Sequence, residues 1–134
     1  MDITVTTENA RVPVSVLHIH GNLDSSTYEA FLAQAEALID GGAHHLLIDI
    51  GHTAHISSAG LRAFHSLFNK LRALHPDEDL SEDEVMQGIK AGTYHSPHLK
   101  LVNMSEAIKA VFEMTGFDMY IETYDDVKQA LASF

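Results

Sequence analysis

Two segments at the start of the chain alternate apolar and polar residues, a period of two that is typical of strands with one buried face. The alternation covers residues 3–6 and 12–20 and breaks between them near Glu8–Arg11. A turn at this break predicts a pair of antiparallel strands. Pro13 lies in the second segment, and because proline lacks a backbone N–H it indicates a position at the edge of a sheet.

Four later segments repeat apolar residues every three or four positions, which predicts amphipathic helices. The apolar positions are Tyr28, Phe31, Leu32, Ala35, Leu38 and Ile39; Leu61, Phe64, Leu67, Phe68, Leu71 and Leu74; Ile108, Val111, Phe112 and Met114; and Val127, Ala130, Leu131 and Phe134. Candidate caps precede the first, third and last helix: Ser26 with Glu29 (Asp24 and Ser25 are also competent), Ser105, and Thr123 with Asp126. Residues that end helices follow the first three, at Gly41–Gly42, Pro76 and Gly116.

Short apolar runs lie between the helices. Leu46–Ile50 is typical of a central strand covered on both faces, residues 99–102 suggest another strand, and Met119–Ile121 predict a short one. Strands that alternate with helices imply a mainly parallel sheet. We therefore predict a single α/β domain over residues 1–134, with a mostly parallel sheet of four to five strands and the order β-β-α-β-α-β-α-β-α.

Residues 75–98 form an acidic insertion before the fourth strand, longer than an ordinary connection between a helix and a strand. Ser81 and Glu84 have the spacing of a capping box, which predicts a short surface helix. Asp77–Glu84 contains six acidic residues and no basic one. We interpret this run as a solvated face; the alternative is a specificity element that repels wrong partners or steers a basic one.

Charge and composition exclude several classes of function. Eight Lys and Arg residues against nineteen Asp and Glu residues give a net charge of −11, which repels nucleic acids and anionic membrane surfaces. The absence of cysteine excludes disulfides, thiolate zinc sites and a cysteine nucleophile. The start of the chain lacks the pattern of a secretory signal, and no run approaches the roughly 20 apolar residues of a membrane span. We therefore expect a cytoplasmic protein without membrane insertion.

The segment Leu47–Phe64 contains the residues with chemical potential, because a buried strand ends there and Ser57 and Ser58 enter a helix. Sites assemble at the carboxyl ends of strands in open α/β sheets, and a helix N-terminus favours an anion. A phosphate on Ser58 would lie at such a terminus, with Arg62 one turn later on the same face. The alternative is that Ser57 or Ser58 only caps the helix.

The sequence Ile56-Ser57-Ser58-Ala59-Gly60-Leu61, which follows Leu47-Ile48-Asp49, resembles the signature of STAS domains, in particular of bacterial anti-sigma factor antagonists. Gly21-Asn22-Leu23-Asp24 matches the family's Gly-x-Leu-Asp pattern. The C-terminal half follows the family's order at Leu101–Ser105, Met114–Phe117 and Tyr124–Leu131.

This resemblance implies a protein switch rather than an enzyme, with no cofactor. Family members bind an anti-sigma factor, often a serine kinase, and thereby release a sigma factor. The kinase phosphorylates the serine that corresponds to Ser58, which breaks the complex, and a phosphatase restores it. Other branches of the family are subunits of stress-signalling scaffolds or lipid-transport systems, and this is the alternative function. The oligomeric state stays open.

The expected site follows from the same resemblance. Many antagonists have an acidic residue directly before the phosphorylated serine, whereas this chain has Ser57, which becomes a second candidate for phosphorylation after Ser58. Gly60 lacks a side chain and is expected to let the partner's backbone approach, and Asp24 and Asp49 are carried over as acidic residues that border the site. The expected partner-binding residues are Asp24, Asp49, Ser57, Ser58, Gly60 and Arg62.

The same loop permits an interpretation as a serine hydrolase, a function of another class. Asp49, His52 or His55, and Ser58 are the residue types of a nucleophilic triad. Position 56 is isoleucine where a nucleophile elbow needs glycine, which disfavours this alternative.

Ten histidines are many for a chain of 134 residues. Candidate ligand pairs for a divalent metal are His18 with His20, His44 with His45, and His52 with His55. Without a cysteine or a carboxylate at ligand spacing, we expect no metal site and interpret the histidines as scattered, partly exposed residues.

Overall fold

Five strands form one sheet in the computed structural model, which describes residues 2–75, 81–91 and 95–134. The strands, in their spatial order, are β1 (Asp2–Asn9), β2 (Pro13–His20), β3 (Leu46–His52), β4 (Leu99–Val102) and β5 (Glu122–Tyr124). β1 and β2 are antiparallel, while β2, β3, β4 and β5 are mutually parallel. The predicted α/β fold with a mostly parallel sheet is confirmed.

Helices lie in the connections between the parallel strands, because joining two parallel strands needs a crossover connection. They are α1 (Tyr28–Asp40), α2 (Ser58–Leu74), α3 (Glu82–Ala91), α4 (Glu106–Thr115) and α5 (Val127–Ala132), with a 3₁₀ turn at Phe117–Met119. The four helices predicted from apolar periodicity are all present. α3 is the helix predicted within the acidic insertion.

The main core lies between one face of the sheet and the helices α1, α2 and α4. Ile48 and Leu101 of the central strands pack there against buried phenylalanines from the three helices. The ring of Phe64 in α2 lies 5.6 Å from that of Phe31 in α1 and 6.0 Å from that of Phe112 in α4. The packing of these rings fixes α2 on the sheet.

A smaller core lies on the opposite face, under α5. Ala130 of α5 packs there with buried strand residues, which are Val14, Val16, Leu47 and Val102. Because successive side chains of a strand point to opposite faces, His18 and Asp49 also lie on this face, two residues beyond Val16 and Leu47. Their side chains remain 29% and 14% exposed, respectively.

The insertion helix α3 is attached to α2. Val85 is only 2% exposed, and the Arg72 guanidinium Nη2 donates to both carboxylate oxygens of Glu82 at 2.9 Å. The predicted capping box is present, since the Ser81 backbone N–H donates to Glu84 and the Glu84 N–H donates to the Ser81 hydroxyl. The predicted stop at Pro76 lies outside the described residues.

Two of the predicted capping boxes are wrong. α1 begins at Tyr28, so Ser26 precedes the helix, and its hydroxyl instead donates to the Asp24 carboxylate. Before α5 the cap is Asp126 alone, which accepts a hydrogen bond from the Lys128 backbone N–H at 3.3 Å. In contrast, Ser105 caps α4 as predicted. Gly116 ends α4 with a left-handed φ of 80°, again as predicted.

Two strand predictions are also wrong. Met119–Ile121 is not a strand, because the chain forms the 3₁₀ turn first and β5 begins at Glu122. Pro13 is not on an edge strand, because β2 pairs with β1 on one side and β3 on the other. The proline is tolerated since it is the first residue of β2, where a ladder N–H is least needed.

Candidate functional site

Two loops at the carboxyl end of the sheet are joined by backbone hydrogen bonds. The Leu23 N–H, between β2 and α1, donates to the His55 carbonyl at 3.1 Å, and the Ser57 N–H donates back to the Leu23 carbonyl at 2.9 Å. Leu23 and Ile56 thereby form a parallel bridge. The loop that contains Asp24 and the segment that leads into α2 therefore form one continuous surface.

Gly60 makes this close approach possible. A Cβ atom at Gly60 would lie 2.8 Å from the Leu23 carbonyl oxygen and 2.9 Å from Cγ2 of Ile56. The expectation that Gly60 admits a partner's backbone is corrected, because the backbone that it admits belongs to this chain. Only glycine fits where α2 packs on the preceding loops.

The two adjacent serines have different environments. Ser57 is the N-cap of α2, and its half-buried hydroxyl accepts a hydrogen bond from the Gly60 N–H at 3.5 Å. Ser58 is the first residue of α2, and its side chain is exposed. The Ser58 hydroxyl makes no hydrogen bond to any residue that the structure describes. The capping role therefore belongs to Ser57, which leaves Ser58 accessible to another protein.

Arg62 lies on the same face of α2, one turn after Ser58, and is exposed. Within the described ranges its guanidinium forms no ion pair. The positive end of the α2 dipole and this guanidinium are both favourable to a negative charge on Ser58.

Asp24 is held in a tight turn before α1. Its carboxylate accepts hydrogen bonds from the Ser26 hydroxyl at 2.6 Å and from the Ser26 N–H at 2.9 Å. The bond from the Ser26 hydroxyl is the main reason why the Asp24 pKa lies below its ordinary value. The carboxylate is therefore negatively charged at neutral pH.

Asp49, in the middle of β3, joins this strand to β2 and to the residue that follows β4. His18 of β2 lies with Nδ1 2.8 Å from Oδ2 of Asp49, while Oδ1 accepts from the Gly51 N–H at 3.0 Å and from the Asn103 side-chain amide at 3.1 Å. Burial raises the Asp49 pKa, but the bonds from Gly51, Asn103 and His18 outweigh it, so that the pKa lies below its ordinary value.

The sequence did not indicate that Asn103 belongs to this site, and it indicated His18 only as a possible metal ligand. Asn103 adopts a left-handed conformation with a φ of 65°, which is uncommon for a residue with a side chain. The signal available in the sequence was weak: an asparagine directly after a buried strand and two residues before a helix cap. Its contact with Asp49, 54 residues away, has no sequence signature.

The hydrolase constellation is not assembled in the part of the chain that the structure describes. Asp49 pairs with His18 instead of His52 or His55. The His52 ring stacks on His20, with centroids 4.8 Å apart, and among the described residues no hydrogen bond joins a histidine to Ser58.

Four histidines from distant parts of the chain are close together at the opposite, amino end of β3 and β4. The rings of His44 and His75 stack with centroids 3.9 Å apart, and His98 lies 5.3 Å from both His45 and His75. The expectation of scattered histidines is therefore wrong for this group. Burial, followed by repulsion from the other three imidazoles, lowers the His45 pKa, and burial also lowers the His75 pKa.

Within residues 2–75, 81–91 and 95–134, no group of three or more histidine and acidic side chains is arranged to hold a metal ion. Over the same ranges, no helix has the length and apolar character needed to cross a membrane.

Comparison with known proteins identifies the class of protein to which this fold and this loop surface belong. A model of the STAS domain family matches residues 4–75, more than half of the chain. The chain therefore belongs to the STAS domain family. No curated protein sequence matches it.

Solved structures of the same fold include anti-sigma factor antagonists. An anti-sigma factor antagonist from Mycobacterium paratuberculosis has a TM-score of 0.69 and 20% identity, with 98% of this chain and 93% of that chain covered. An anti-sigma-factor antagonist (STAS) domain protein from Planctomyces limnophilus has a TM-score of 0.70 and 18% identity, over 98% and 96% of the two chains. The Bacillus cell fate determinant SpoIIAA, in its phosphorylated form, has a TM-score of 0.62 and 15% identity, over 96% of each chain. At these identities the likeness shows the fold.

Proposed function

We propose that this chain is an anti-sigma factor antagonist, a protein-binding module that is switched by phosphorylation of Ser58. The observation that carries the proposal is the placement of Ser58 at the exposed start of α2, with its hydroxyl free of bonds to described residues while Ser57 provides the cap. The similarity in fold to anti-sigma factor antagonists, including SpoIIAA in a phosphorylated form, supports it.

The physical basis of the switch is the different cost of a phosphate in the free and the bound protein. In the free protein, the N-terminus of α2 and the Arg62 guanidinium stabilise a phosphate on Ser58. In a complex, the same phosphate would be desolvated beside an acidic protein with a net charge of −11. A cost of about 2 to 4 kcal/mol at the interface would weaken binding roughly 30- to 700-fold.

The proposed partners are an anti-sigma factor with serine kinase activity and a phosphatase that reverses the modification. This assignment makes the chain a regulator of transcription in a bacterial cytoplasm, without catalysis of its own. Asp24 and Arg62 are the charged residues next to the Ser58 surface that would contact the partner. Ser57, which is engaged as a cap, is the second candidate for phosphorylation.

The experiment that tests the proposal combines the purified protein with the anti-sigma factors of its source organism, with and without ATP. We expect one partner to bind without ATP and, with ATP, to add a single phosphate that is detected by mass spectrometry. The phosphate should be absent from Ser58→Ala and present in Ser57→Ala, and Ser58→Asp should bind the partner weakly.

Two outcomes would contradict this proposal. Failure to bind any anti-sigma factor would exclude the antagonist function. Binding that is unaffected by ATP and by Ser58→Asp would instead indicate a STAS subunit that acts as a scaffold without a phosphorylation switch.

A further inference from the structure

A continuous chain of polar contacts runs across the sheet from β1 to β5, through β2, β3 and the residue that follows β4. Thr6 of β1 contacts His18 Nε2 at 3.2 Å, and His18 contacts Asp49. Asp49 in turn accepts from Asn103, whose backbone N–H donates to the Tyr124 carbonyl of β5 at 2.9 Å. The Asp49 carboxylate is the centre of this chain, since it accepts three of the hydrogen bonds.

We propose that Asp49 is a positioning residue, which holds the loop between β3 and α2, and therefore Ser58, through Gly51 and Asn103 rather than by contact with a partner. The contacts of Asp49 are independent of the proposed function, whereas the effect on Ser58 phosphorylation and partner binding rests on that function. It differs from the resemblance-based expectation, in which the Asp49 charge itself borders the partner-binding surface.

The contacts of Asp49 explain how it positions the loop. Its Oδ1 accepts a hydrogen bond from the N–H of Gly51, the next-to-last residue of β3 before the loop that leads to α2. A Cβ at Gly51 would lie only 3.2 Å from both the Asn103 Cβ and Asp49 Oδ1, so the backbone at the end of β3, from which the loop continues, packs closely against the Asn103 side chain. Asn103 keeps its left-handed conformation with its amide bonded to Asp49, which compensates the cost of a positive φ.

The Asp49 carboxylate has little hydrogen-bonding capacity left for a partner protein. It accepts from His18 through Oδ2 and from Gly51 and Asn103 through Oδ1, and its side chain is 14% exposed. Because the carboxylate is ionised it only accepts, so His18 Nδ1 donates to Oδ2, while His18 Nε2 contacts the Thr6 hydroxyl.

The variants Asp49→Asn and Asp49→Ala separate positioning from charge. In Asp49→Asn the side-chain oxygen can still accept from Gly51 and Asn103, and the new amide can donate to the other tautomer of His18. Asp49→Ala removes both acceptor oxygens and with them all three hydrogen bonds. A positioning role predicts that Asn rescues what Ala loses, whereas a role of the negative charge in partner binding predicts that both variants fail.

Amide hydrogen exchange of the free protein is the direct measurement, read at Gly51, Thr53 and Ser57. The Thr53 N–H donates to the Ile50 carbonyl and the Ser57 N–H to the Leu23 carbonyl, so their protection reports the order of the loop. We expect protection to fall about tenfold or more in Asp49→Ala and to stay within about threefold of the original in Asp49→Asn. Affinity for the anti-sigma factor and the rate of Ser58 phosphorylation should follow the same order.

Two further variants keep the test decisive if Asp49→Ala does not fold. Asn103→Gly removes the amide but suits a positive φ, so it should lower loop protection without new backbone strain. Ile39→Val, at a buried position of α1, is the control for a modest loss of stability, because Ile39 is not among the polar contacts of Asp49. It should leave the protection of the loop amides unchanged relative to that of the core amides. Loss of protection in Asp49→Asn, or full protection in both Asp49→Ala and Asn103→Gly, would overturn the inference. Exchange needs no partner, so it decides the positioning role even if the proposed antagonist function fails.

Discussion

A Cβ atom on Gly60 would lie 2.8 Å from the carbonyl oxygen of Leu23, closer than two such atoms can approach. The first turn of α2 therefore packs directly on the backbone of the loop after β2. The same carbonyl accepts the Ser57 N–H, so the Leu23 carbonyl contacts α2 both before and after Ser58. These contacts join two loops and the first turn of α2 into one surface around Ser58.

Replacement of Gly60 by alanine should destabilise the protein although alanine favours helices. Helix propensity alone predicts a gain of up to about 1 kcal/mol, but the clash with the Leu23 backbone should cost about 1 to 3 kcal/mol. The midpoint of urea unfolding for Gly60→Ala measures the net change in stability from the helix propensity and the clash. A stabilised variant would show that α2 does not pack on Leu23 as described.

The adjacent serines should differ in their effects on stability. Ser57→Ala removes the side-chain acceptor for the Gly60 N–H and should lower the free energy of unfolding by about 0.5 to 2 kcal/mol. Ser58→Ala, its matched control, removes an exposed hydroxyl and should change it by less than about 0.5 kcal/mol. Chemical denaturation of both variants without any partner checks this difference, and an equal loss in both would contradict the assignment of the cap.

Lys100 should hold α5 on the sheet. Its Nζ, on a side chain that is 4% exposed, donates to the Ser133 carbonyl at 3.0 Å and to the Ser133 hydroxyl at 2.9 Å, and it lies 4.9 Å from the centre of the Phe134 ring. Lys100→Met keeps the apolar stem but loses these bonds, so we expect a loss of about 1 to 3 kcal/mol and faster amide exchange in α5.

A surface lysine offers the control for this prediction. Lys109 pairs with Asp125 at 3.1 Å on the exterior, and Lys109→Met should change the stability by less than about 1 kcal/mol. If Lys100→Met were as mild as Lys109→Met, the buried lysine would not be what fastens α5.

The stability of the protein should fall as the pH decreases below neutrality. Burial and the neighbouring imidazoles lower the pKa of His45, and burial and His44 lower that of His75, relative to the unfolded chain. The unfolded chain therefore binds protons that the folded protein does not. Above the ordinary histidine pKa of about 6.5, both states are unprotonated at these histidines and the free energy of unfolding has its full value. It decreases as the pH falls from there towards the lower pKa values of the folded protein.

Thermal unfolding between about pH 7.5 and 5 measures this dependence, and the double variant His45→Gln, His75→Gln should flatten it. A slope that the double variant leaves unchanged would assign the dependence to other groups.

Asp24 and Asp49 act in a separate pH range, because their pKa values are lowered from the ordinary 3.8 and their contribution to stability is lost only below about pH 4.

Local patterns were sufficient for most of the secondary structure. The apolar spacing of Phe31, Ala35 and Ile39 predicted α1, and Ser105 and Gly116 correctly marked the ends of α4, because periodicity and capping depend on residues only a few positions apart. The prediction failed where short segments allow more than one local structure. Met119–Ile121 is apolar enough for a strand, but the chain turns there before it enters β5.

The sequence by itself thus determined the order of strands and helices, the family resemblance and the loop that contains Ser57 and Ser58. Only the tertiary structure decided which serine caps α2 and which is exposed, since both have the same side chain. It also decided that Gly60 packs on Leu23, that Asp49 joins His18 to Asn103, and that four histidines form one cluster. These contacts join residues that lie far apart in the chain, and packing of the helices on the sheet, rather than any local pattern, brings them together.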